Sequence, residues 1–261
     1  MNKKNEVGII GANGFVGKAM QELFPEAILY DISLLGTKME DVNKCEIAFV
    51  CVPSPLNSDG TLDTSIVESV IKECECPLIV LRSTVNPGDC DFLEEKYSKN
   101  IVMVPEYVGE TISHPLLNES SRSFLIIGGK PENRRKLIEL YTSVYNANIN
   151  IRQVSNLEAE VIKLSENRMI AFKMMQCQEL YDVCEKAGVD YYVVREAVFG
   201  DDPRANLWWT FIFKDKRGFN NSKCLEKDVP AFCAWAESVG YDAKLTKALV
   251  ERSNEYEKEN K

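Results

Sequence analysis

Short apolar runs alternate with segments of helical periodicity through the first half of the chain. Between two of these runs, Val16, Met20 and Leu23 recur at helical spacing. Strands that alternate with helices build a mostly parallel sheet whose two faces are both buried. The pattern therefore predicts an α/β fold with a doubly wound, mostly parallel sheet. The predicted strands are Val7–Ile10, Ile28–Tyr30, Ile47–Val52, Leu78–Leu81, Ile101–Val104 and Phe124–Ile127.

After Ile151 the strand-like runs stop, and the second half reads as all-helical. Residues Asn156–Lys186 contain no proline or glycine and are apolar most of the way round, which predicts one long central helix. Such a helix must be buried on several sides, by its own domain or by a second subunit. We expect a domain at 1–155 and a smaller helical domain at 156–261. Its other predicted helices lie near Tyr191–Val198, Val229–Ser238 and Ala243–Glu257.

Two local signals refine this picture. Ser65 and Glu68 stand three residues apart before an apolar helical pattern, which predicts a capping box at a helix start. The highly charged segment Glu255–Lys261 is predicted to be a solvated tail.

Charge and cysteine content exclude several classes of partner. The chain has 40 acidic and 31 basic residues, a net charge of −9, so nucleic acid and anionic membranes are not expected as partners. No apolar run is long enough for a membrane span. Nine cysteines without a spaced framework indicate a reducing, cytoplasmic location. Cys74 and Cys76 lack a second ligand pair, so no metal site is expected.

A glycine-rich turn follows the first predicted strand and opens the first helix. Gly11, Gly14 and Gly17 let the backbone approach a pyrophosphate, which the amides at the helix N-terminus can hold. Asp31 follows Gly11 by 20 residues, at the end of the second strand, where its carboxylate can bind both ribose hydroxyls. No basic residue follows before Lys38, so the sequence predicts a Rossmann-type domain that binds NAD rather than NADP.

A series of motifs in both halves, from residue 7 to about 240, resembles the UDP-glucose/GDP-mannose 6-dehydrogenase family. The resemblance implies an NAD-dependent nucleotide-sugar 6-dehydrogenase that oxidises a C6 alcohol to a carboxylate. The matching segments are Val52–Pro55, Asp59–Asp63, Arg82–Gly88, Pro105–Tyr107 with Glu110, Glu160–Asn167, Asp202–Arg204 and Gly218–Asp228. The residues then expected to bind NAD are Gly11, Asn13, Gly14, Phe15, Val16, Asp31, Val52, Pro53, Ser83 and Thr84.

Cys224 is the candidate nucleophile for this chemistry. Oxidation of a primary alcohol to an acid requires that the aldehyde be trapped, and a thiolate can do this as a thiohemiacetal and then a thioester. Cys224 lies at an expected helix start beside Lys223 and Lys227, which favours the thiolate. Asp228, one helical turn on, is expected to orient an attacking water or to position Lys227.

The resemblance implies roles for the remaining polar residues. From the helix pattern alone, Lys163 is either a snorkelling surface residue or a charge held in a pocket; the resemblance implies that Lys163 and Asn167 stabilise the alkoxide and tetrahedral oxygen. Glu106 is the candidate general base, with Thr84 and Glu110 in the same network. The residues expected to contact substrate are Glu106, Tyr107, Lys163, Asn167, Arg204, Gly218, Phe219 and Lys227.

The chain also departs from the family. We expect the third domain, which grips the nucleotide, to be absent, and Asn220–Lys223 replaces the family's small glycines before the cysteine. The long helix near 156–186 suggests a homodimer, with Arg204 reaching the neighbour's site. Two alternatives stay open: a beta-hydroxyacid-type NAD dehydrogenase, which needs no cysteine, and a non-catalytic NAD- or nucleotide-binding relative.

Overall fold

The computed structural model describes residues 6–109, 114–116 and 118–260. The chain forms two compact units. The first comprises Met1–Pro55 and Leu62–Lys163, and the second comprises Leu56–Thr61 and Leu164–Lys261. The boundary between the two units lies inside the long helix, between Lys163 and Leu164. The predicted domain boundary near residue 155 stays a prediction.

A five-stranded parallel sheet forms the centre of the first unit. Its order is β2-β1-β3-β4-β5, so β1 lies between β2 and β3, and the α/β prediction is confirmed. A separate parallel pair joins β6 to β7. The strands are β1 Val7–Ile10, β2 Ile28–Tyr30, β3 Ile47–Val50, β4 Leu78–Leu81, β5 Ile101–Met103, β6 Phe124–Ile127 and β7 Asn150–Gln153.

Strand β7 was not predicted. Three of its four residues are polar and exposed. Ile151 is half-buried against the core and lies opposite Leu125 of β6. The apolar-run criterion cannot detect a strand with a single apolar residue.

Helices cover both faces of the sheet. On one face Phe49 and Val80 pack with Tyr141, and on the other face Val50 and Ile79 pack with Ile71. The two buried layers explain why the central strands are continuously apolar rather than alternating. The helices of this unit are α1 Phe15–Leu23, α2 Met39–Val42, α3 Ser65–Glu73, α4 Asp89–Tyr97 and α5 Pro131–Thr142, with a 3-10 turn at Glu119–Ser121.

The capping-box prediction was wrong. Ser65 is already the first residue of α3, and its backbone N–H donates to the Oδ1 atom of Asp63 at 3.0 Å. The carboxylate of Glu68 instead accepts from Lys96 and from the hydroxyl of Tyr97, both on the neighbouring α4. A tertiary ion pair has therefore replaced the local cap.

The long helix was predicted correctly and runs as α6 from Asn156 to Ala187. Its first two turns belong to the first unit. There Asn156 accepts from the N–H of Met103 at 2.9 Å through its Oδ1, and Ala159 is buried against the sheet. No helix among the described residues is long and apolar enough to cross a bilayer.

In the second unit, the later part of α6 packs with two further helices around Met175, Phe219 and Val229. The last helix ends at Glu259, two residues beyond the predicted Glu257. Of the predicted solvated tail, Glu255, Lys258 and Glu259 are exposed, but Tyr256 is not. Tyr256, on that helix, is fully buried, and its hydroxyl donates to Asp182 at 2.5 Å. These helices are α7 Tyr191–Arg195, α8 Leu225–Ser238 and α9 Lys244–Glu259, with a π turn at Glu196–Gly200.

Glu160, on α6, caps the start of α4. Its carboxylate accepts from the N–H of Gly88 at 2.7 Å and from the N–H of Cys90 at 2.8 Å. Burial works against the charged form and, despite these hydrogen bonds, raises the pKa of Glu160 to about 7.

A stability measurement against pH tests this burial. Because the folded-state pKa of Glu160 is raised, its favourable contribution is complete below the unfolded pKa and is lost as the pH rises through about 7. We expect the stability difference between wild type and Glu160→Gln to move by up to about 3 kcal/mol in favour of the variant between pH 4.5 and 8. Urea unfolding at each pH measures it.

Glu158 provides the control, since it is exposed on the same helix turn and its pKa is lowered by hydrogen bonds from Ser155. Glu158→Gln should leave the stability slope between pH 5 and 8 as it is in the wild type. A wild-type to Glu160→Gln difference that is constant with pH would contradict the assignment.

Candidate active site

The strand order gathers the predicted cofactor residues at one edge of the sheet. Gly11 follows β1 and Asp31 follows β2, while β3 leads into Val52 and Pro53. Parallel strands direct their carboxyl ends to the same edge. The chain adds β2 on one side of β1 and β3 on the other, and ligands of such sheets bind at this switch in strand order. Ser83 and Thr84 after β4, and Glu106 and Tyr107 after β5, lie at this edge as well.

The glycine turn has the geometry that a bound pyrophosphate requires. Gly11 has a φ of +78°, and a Cβ there would lie 2.6 Å from the carbonyl oxygen of Cys51. A Cβ on Gly17 would lie 2.2 Å from the carbonyl oxygen of Gly11, so α1 can approach the turn only because residue 17 has no side chain. Gly14 caps α1 without a side-chain hydrogen bond, and the helix begins with Phe15 and Val16. These residues fit a dinucleotide phosphate.

Asp31 is held in place by the turn that it faces. Its Oδ2 atom accepts from the N–H of Asn13 at 3.0 Å, and its Oδ1 atom accepts from the N–H of Ser33 at 2.9 Å and from the Ser33 hydroxyl at 2.7 Å. Partial burial opposes ionisation, but hydrogen bonds from Ser33 and Asn13 outweigh it and lower the pKa of Asp31. The carboxylate is therefore charged and oriented where a ribose would lie. Ser33 was not predicted as a site residue.

Two serine hydroxyls tie the loops after β3 and β4 together. Ser83 donates to the carbonyl oxygen of Val52 at 2.6 Å, and Ser54 donates to the carbonyl oxygen of Thr84 at 2.5 Å. Thr84 is buried, so this part of the edge is a fixed surface rather than a loose loop.

Glu106 is buried rather than solvated, as a loop glutamate ordinarily would be. Its side chain accepts from the N–H groups of Tyr107 and Val108 and forms an ion pair with Arg82. Burial and the nearby carboxylate of Glu119 raise the pKa of Glu106, while Arg82 acts in the opposite direction. A carboxyl group whose pKa is moved towards neutrality suits a general base.

Three buried charged residues around Glu106 had no role in the sequence analysis: Arg82, Glu119 and Arg122. Arg82 could have been noticed, because an arginine directly after a continuously apolar strand is unusual at a buried sheet edge. Glu119 lies in a polar loop that reads as solvated. Only the tertiary structure shows that its side chain is enclosed.

Lys163 is also buried, which rules out the snorkelling alternative. Its Nζ atom donates to the carbonyl oxygen of Glu106 at 2.5 Å and lies 5.2 Å from the centre of the Tyr107 ring. Within the first unit, the structure thus brings Glu106, Tyr107 and Lys163 together. Glu110 lies outside the described residues.

In the second unit, a cluster forms around the start of α8. Cys224 occupies the N-cap position of this helix and is exposed, which confirms its predicted place at a helix start. Asp228 is almost fully buried. Its Oδ1 atom accepts from Lys227 at 2.6 Å and its Oδ2 atom accepts from the side-chain amide of Asn167 at 2.5 Å. Asp228 therefore positions both Lys227 and Asn167.

Three further predicted substrate residues lie elsewhere in this unit. Arg204 is 87% exposed and pairs with Asp202 at 2.6 Å, two residues away. Phe219 is buried in the core, so only its backbone can face a ligand. Gly218 has a φ of +86°, and its N–H donates to Gln178 at 2.7 Å. Among the residues described, no group of three or more histidine, cysteine or acidic side chains could hold a metal ion.

The sheet edge and its glycine turn define a dinucleotide-binding protein. Comparison with known proteins gives the family. The NAD binding domain profile of the UDP-glucose/GDP-mannose dehydrogenase family matches residues 15–149, and the central domain profile of the same family matches residues 157–256. The chain belongs to the UDP-glucose/GDP-mannose dehydrogenase family, as the motifs predict.

Individual relatives agree with this assignment. The chain is 28% identical over 228 residues to a UDP-glucose 6-dehydrogenase of Rickettsia bellii, covering 82% of this chain and 50% of the relative. It is 27% identical over 258 residues to a UDP-glucose 6-dehydrogenase of Pseudomonas aeruginosa, covering 90% and 55%. The chain thus spans about half the length of the curated relatives it matches.

A solved structure supports the fold. The UDP-glucose dehydrogenase of Pyrobaculum islandicum has a TM-score of 0.80 at 21% identity, over 98% of this chain and 69% of the other. This similarity confirms the predicted fold class, a Rossmann-type domain followed by helices.

Proposed function

We propose that the protein is an NAD-dependent nucleotide-sugar 6-dehydrogenase, which oxidises the C6 alcohol of a sugar nucleotide to a carboxylate. The observation that carries the proposal is the exposed Cys224 at the N-cap of α8, one turn before the buried Asp228 with its Asn167 and Lys227 partners. The relatives above are named for such a reaction on UDP-glucose. A beta-hydroxyacid dehydrogenase would not require an exposed nucleophile at this place.

NAD, when bound, accepts one hydride, so the two oxidations consume two NAD molecules that bind in turn. On this chain, the amides after Gly14 would hold its pyrophosphate and Asp31 its ribose. Val52, Pro53, Ser83 and Thr84 would line the remainder of the sheet edge. The charged Asp31 would repel a 2′-phosphate, so we propose NAD rather than NADP as the cofactor.

The first oxidation removes a hydride from C6 and releases the hydroxyl proton to water, which gives an aldehyde. We assign to Lys163 and Asn167 the stabilisation of the negative oxygen that develops in this step. The Cys224 thiolate then adds to the aldehyde carbon, and a carbon–sulfur bond forms. Loss of a second hydride from the same carbon converts this thiohemiacetal into a thioester.

Water completes the reaction. We assign to Glu106 the removal of a proton from the attacking water, for which its raised pKa is suited. The carbon–sulfur bond breaks, the carboxylate leaves, and the Cys224 thiolate is regenerated. In sum, one alcohol, one water and two NAD+ give one carboxylate, two NADH and three protons.

We further propose a homodimer through the long helix near 156–186. Along one face of α6, Met169 and Val183 are each 58% exposed, and Phe172 between them is half-buried. Exposed apolar side chains on a long helix favour a second copy as their cover. The exposed Arg204, which pairs with the nearby Asp202, is then available to a substrate.

We also propose a cytoplasmic location, since the cysteines form no disulfide.

The stoichiometry of NADH release tests the function. We expect UDP- or GDP-sugars, but not unactivated sugars, to release two NADH per substrate consumed. One NADH per substrate would instead indicate an alcohol or hydroxyacid dehydrogenase. Cofactor binding in calorimetry with no NADH across the panel would indicate a non-catalytic relative.

A further inference from the structure

A line of alternating buried charges begins at Glu106. Arg82 donates through its Nη2 atom to the carboxylates of both Glu106 and Glu119. The Arg82 side chain is fully buried, and Glu119 is 1% exposed. Two carboxylates therefore share one donor nitrogen away from solvent, where charge interactions are strong.

The far side of Glu119 has its own partners. Its Oε2 atom accepts from the Nη1 atom of Arg122 at 3.0 Å and from the hydroxyl of Tyr145 at 2.8 Å. Arg122 is buried, and its guanidinium lies 4.9 Å from the centre of the Tyr107 ring. The order of charges is thus Glu106, Arg82, Glu119, Arg122.

Arg82 has little capacity to serve both carboxylates independently. Its Nε and Nη1 atoms are buried without a hydrogen-bond partner among the described residues, so Nη2 alone reaches Glu106 and Glu119. A stronger hydrogen bond from Nη2 to Glu119 therefore weakens the hydrogen bond from the same atom to Glu106. A buried guanidinium with two unused nitrogens is costly as a purely structural element, which points to a role for the arrangement.

Three other titratable groups near Glu106 carry no charge near pH 7, and Lys163 does not pair with the Glu106 carboxylate. Burial raises the pKa values of Cys51 and Tyr141, and burial together with Glu119 raises that of Tyr145, so all three stay neutral near pH 7. Lys163 donates to the backbone carbonyl of Glu106 and not to its carboxylate.

We propose that Glu119 and Arg122 are positioning residues that act through Arg82 to control the orientation and protonation of Glu106. The inference rests on the proposed function only in treating Glu106 as the base. Glu119 repels a negative charge on Glu106 and draws on its donor, so it keeps Glu106 available to take up a proton. Arg122 neutralises Glu119 and limits this effect.

Two variants must therefore change the pKa of Glu106 in opposite directions. Glu119→Gln removes the repulsion and leaves Arg82 to Glu106, so the pKa of Glu106 should fall by about one unit. Arg122→Met keeps an aliphatic stem against Tyr107 and removes the charge, so the pKa of Glu106 should rise. Loosened packing alone would move both variants the same way.

Carbon-13 NMR titration of the glutamate carboxyls in the full chain, without substrate, measures the pKa directly. The Glu106 signal is the one that disappears in Glu106→Gln. Glu94→Gln, a buried glutamate paired with Lys130, is the control and should leave the Glu106 titration unchanged. The acidic limb of the NADH-formation rate should follow the same two shifts.

Unchanged or same-direction titrations in the two variants would overturn the proposal. If Glu119→Gln does not fold, Arg122→Met and Tyr145→Phe, which removes only a hydroxyl donated to Glu119, must still raise the pKa of Glu106. An inactive protein whose titrations shift as expected would refute the proposed function but not this coupling. An active enzyme whose titrations do not shift would refute this coupling but not the proposed function.

Discussion

Replacing Cys224 with serine is expected to lower carboxylate formation by about a thousandfold or more, while NAD binding is unchanged. A serine hydroxyl is not ionised at neutral pH and cannot trap the aldehyde as a thiolate does. The change should not disturb the fold, because residue 224 is exposed and serine is a favourable N-cap residue. NADH release and acid formation with a UDP-sugar provide the measurement.

Cys233 supplies the matched control. It lies on the same helix α8 and is only half-buried, but nothing assigns it a part in the reaction. Cys233→Ser should keep the wild-type rate. Full activity of Cys224→Ser would exclude the thioester route and favour the hydroxyacid-type dehydrogenase.

The largest loss of stability is expected for Arg82→Met. The variant leaves Glu106 and Glu119 enclosed without their shared counter-charge, and removal of one partner from a buried ion pair costs about 3–5 kcal/mol. The loss should shrink as the pH falls, since protonation removes the unpaired charges. Urea unfolding at pH 7 and pH 5 measures both effects.

Arg204→Met is the comparison for this variant, because Arg204 is exposed and its ion pair in the described part of the chain is with the nearby Asp202. It should change stability by no more than about 0.5 kcal/mol. Adding Glu119→Gln to Arg82→Met should recover part of the loss. An Arg82→Met protein as stable as Arg204→Met would show that the buried carboxylates do not depend on Arg82.

The sequence predicts the strands of the first unit well because they are buried on both faces, so that each is a continuous apolar run. Strand β7 escapes this criterion, because three of its four residues are polar. The burial of Tyr256 at the end of the last helix escapes it as well. Tyr256 is buried there among charged neighbours, and its hydroxyl bond to Asp182 joins residues 74 positions apart.

The site residues also divide into those whose place depends on local structure and those whose surroundings depend on distant segments. Motifs place Cys224 at a helix start and Asp31 at a strand end, because those positions depend on local structure. The enclosure of Glu106 depends on Arg82 and Glu119, which lie 24 residues before it and in the next loop. Spacing along the chain carries no signal for a contact between a strand end and a 3-10 turn.

The first two turns of α6 have a practical consequence for anyone who wishes to prepare the nucleotide-binding half alone. Asn156 anchors the β5 backbone and Glu160 closes the exposed amides of α4. A fragment that stops at 155 would discard both clamps, whereas one that extends through Lys163 keeps them. The cloning boundary belongs within the helix, not before it.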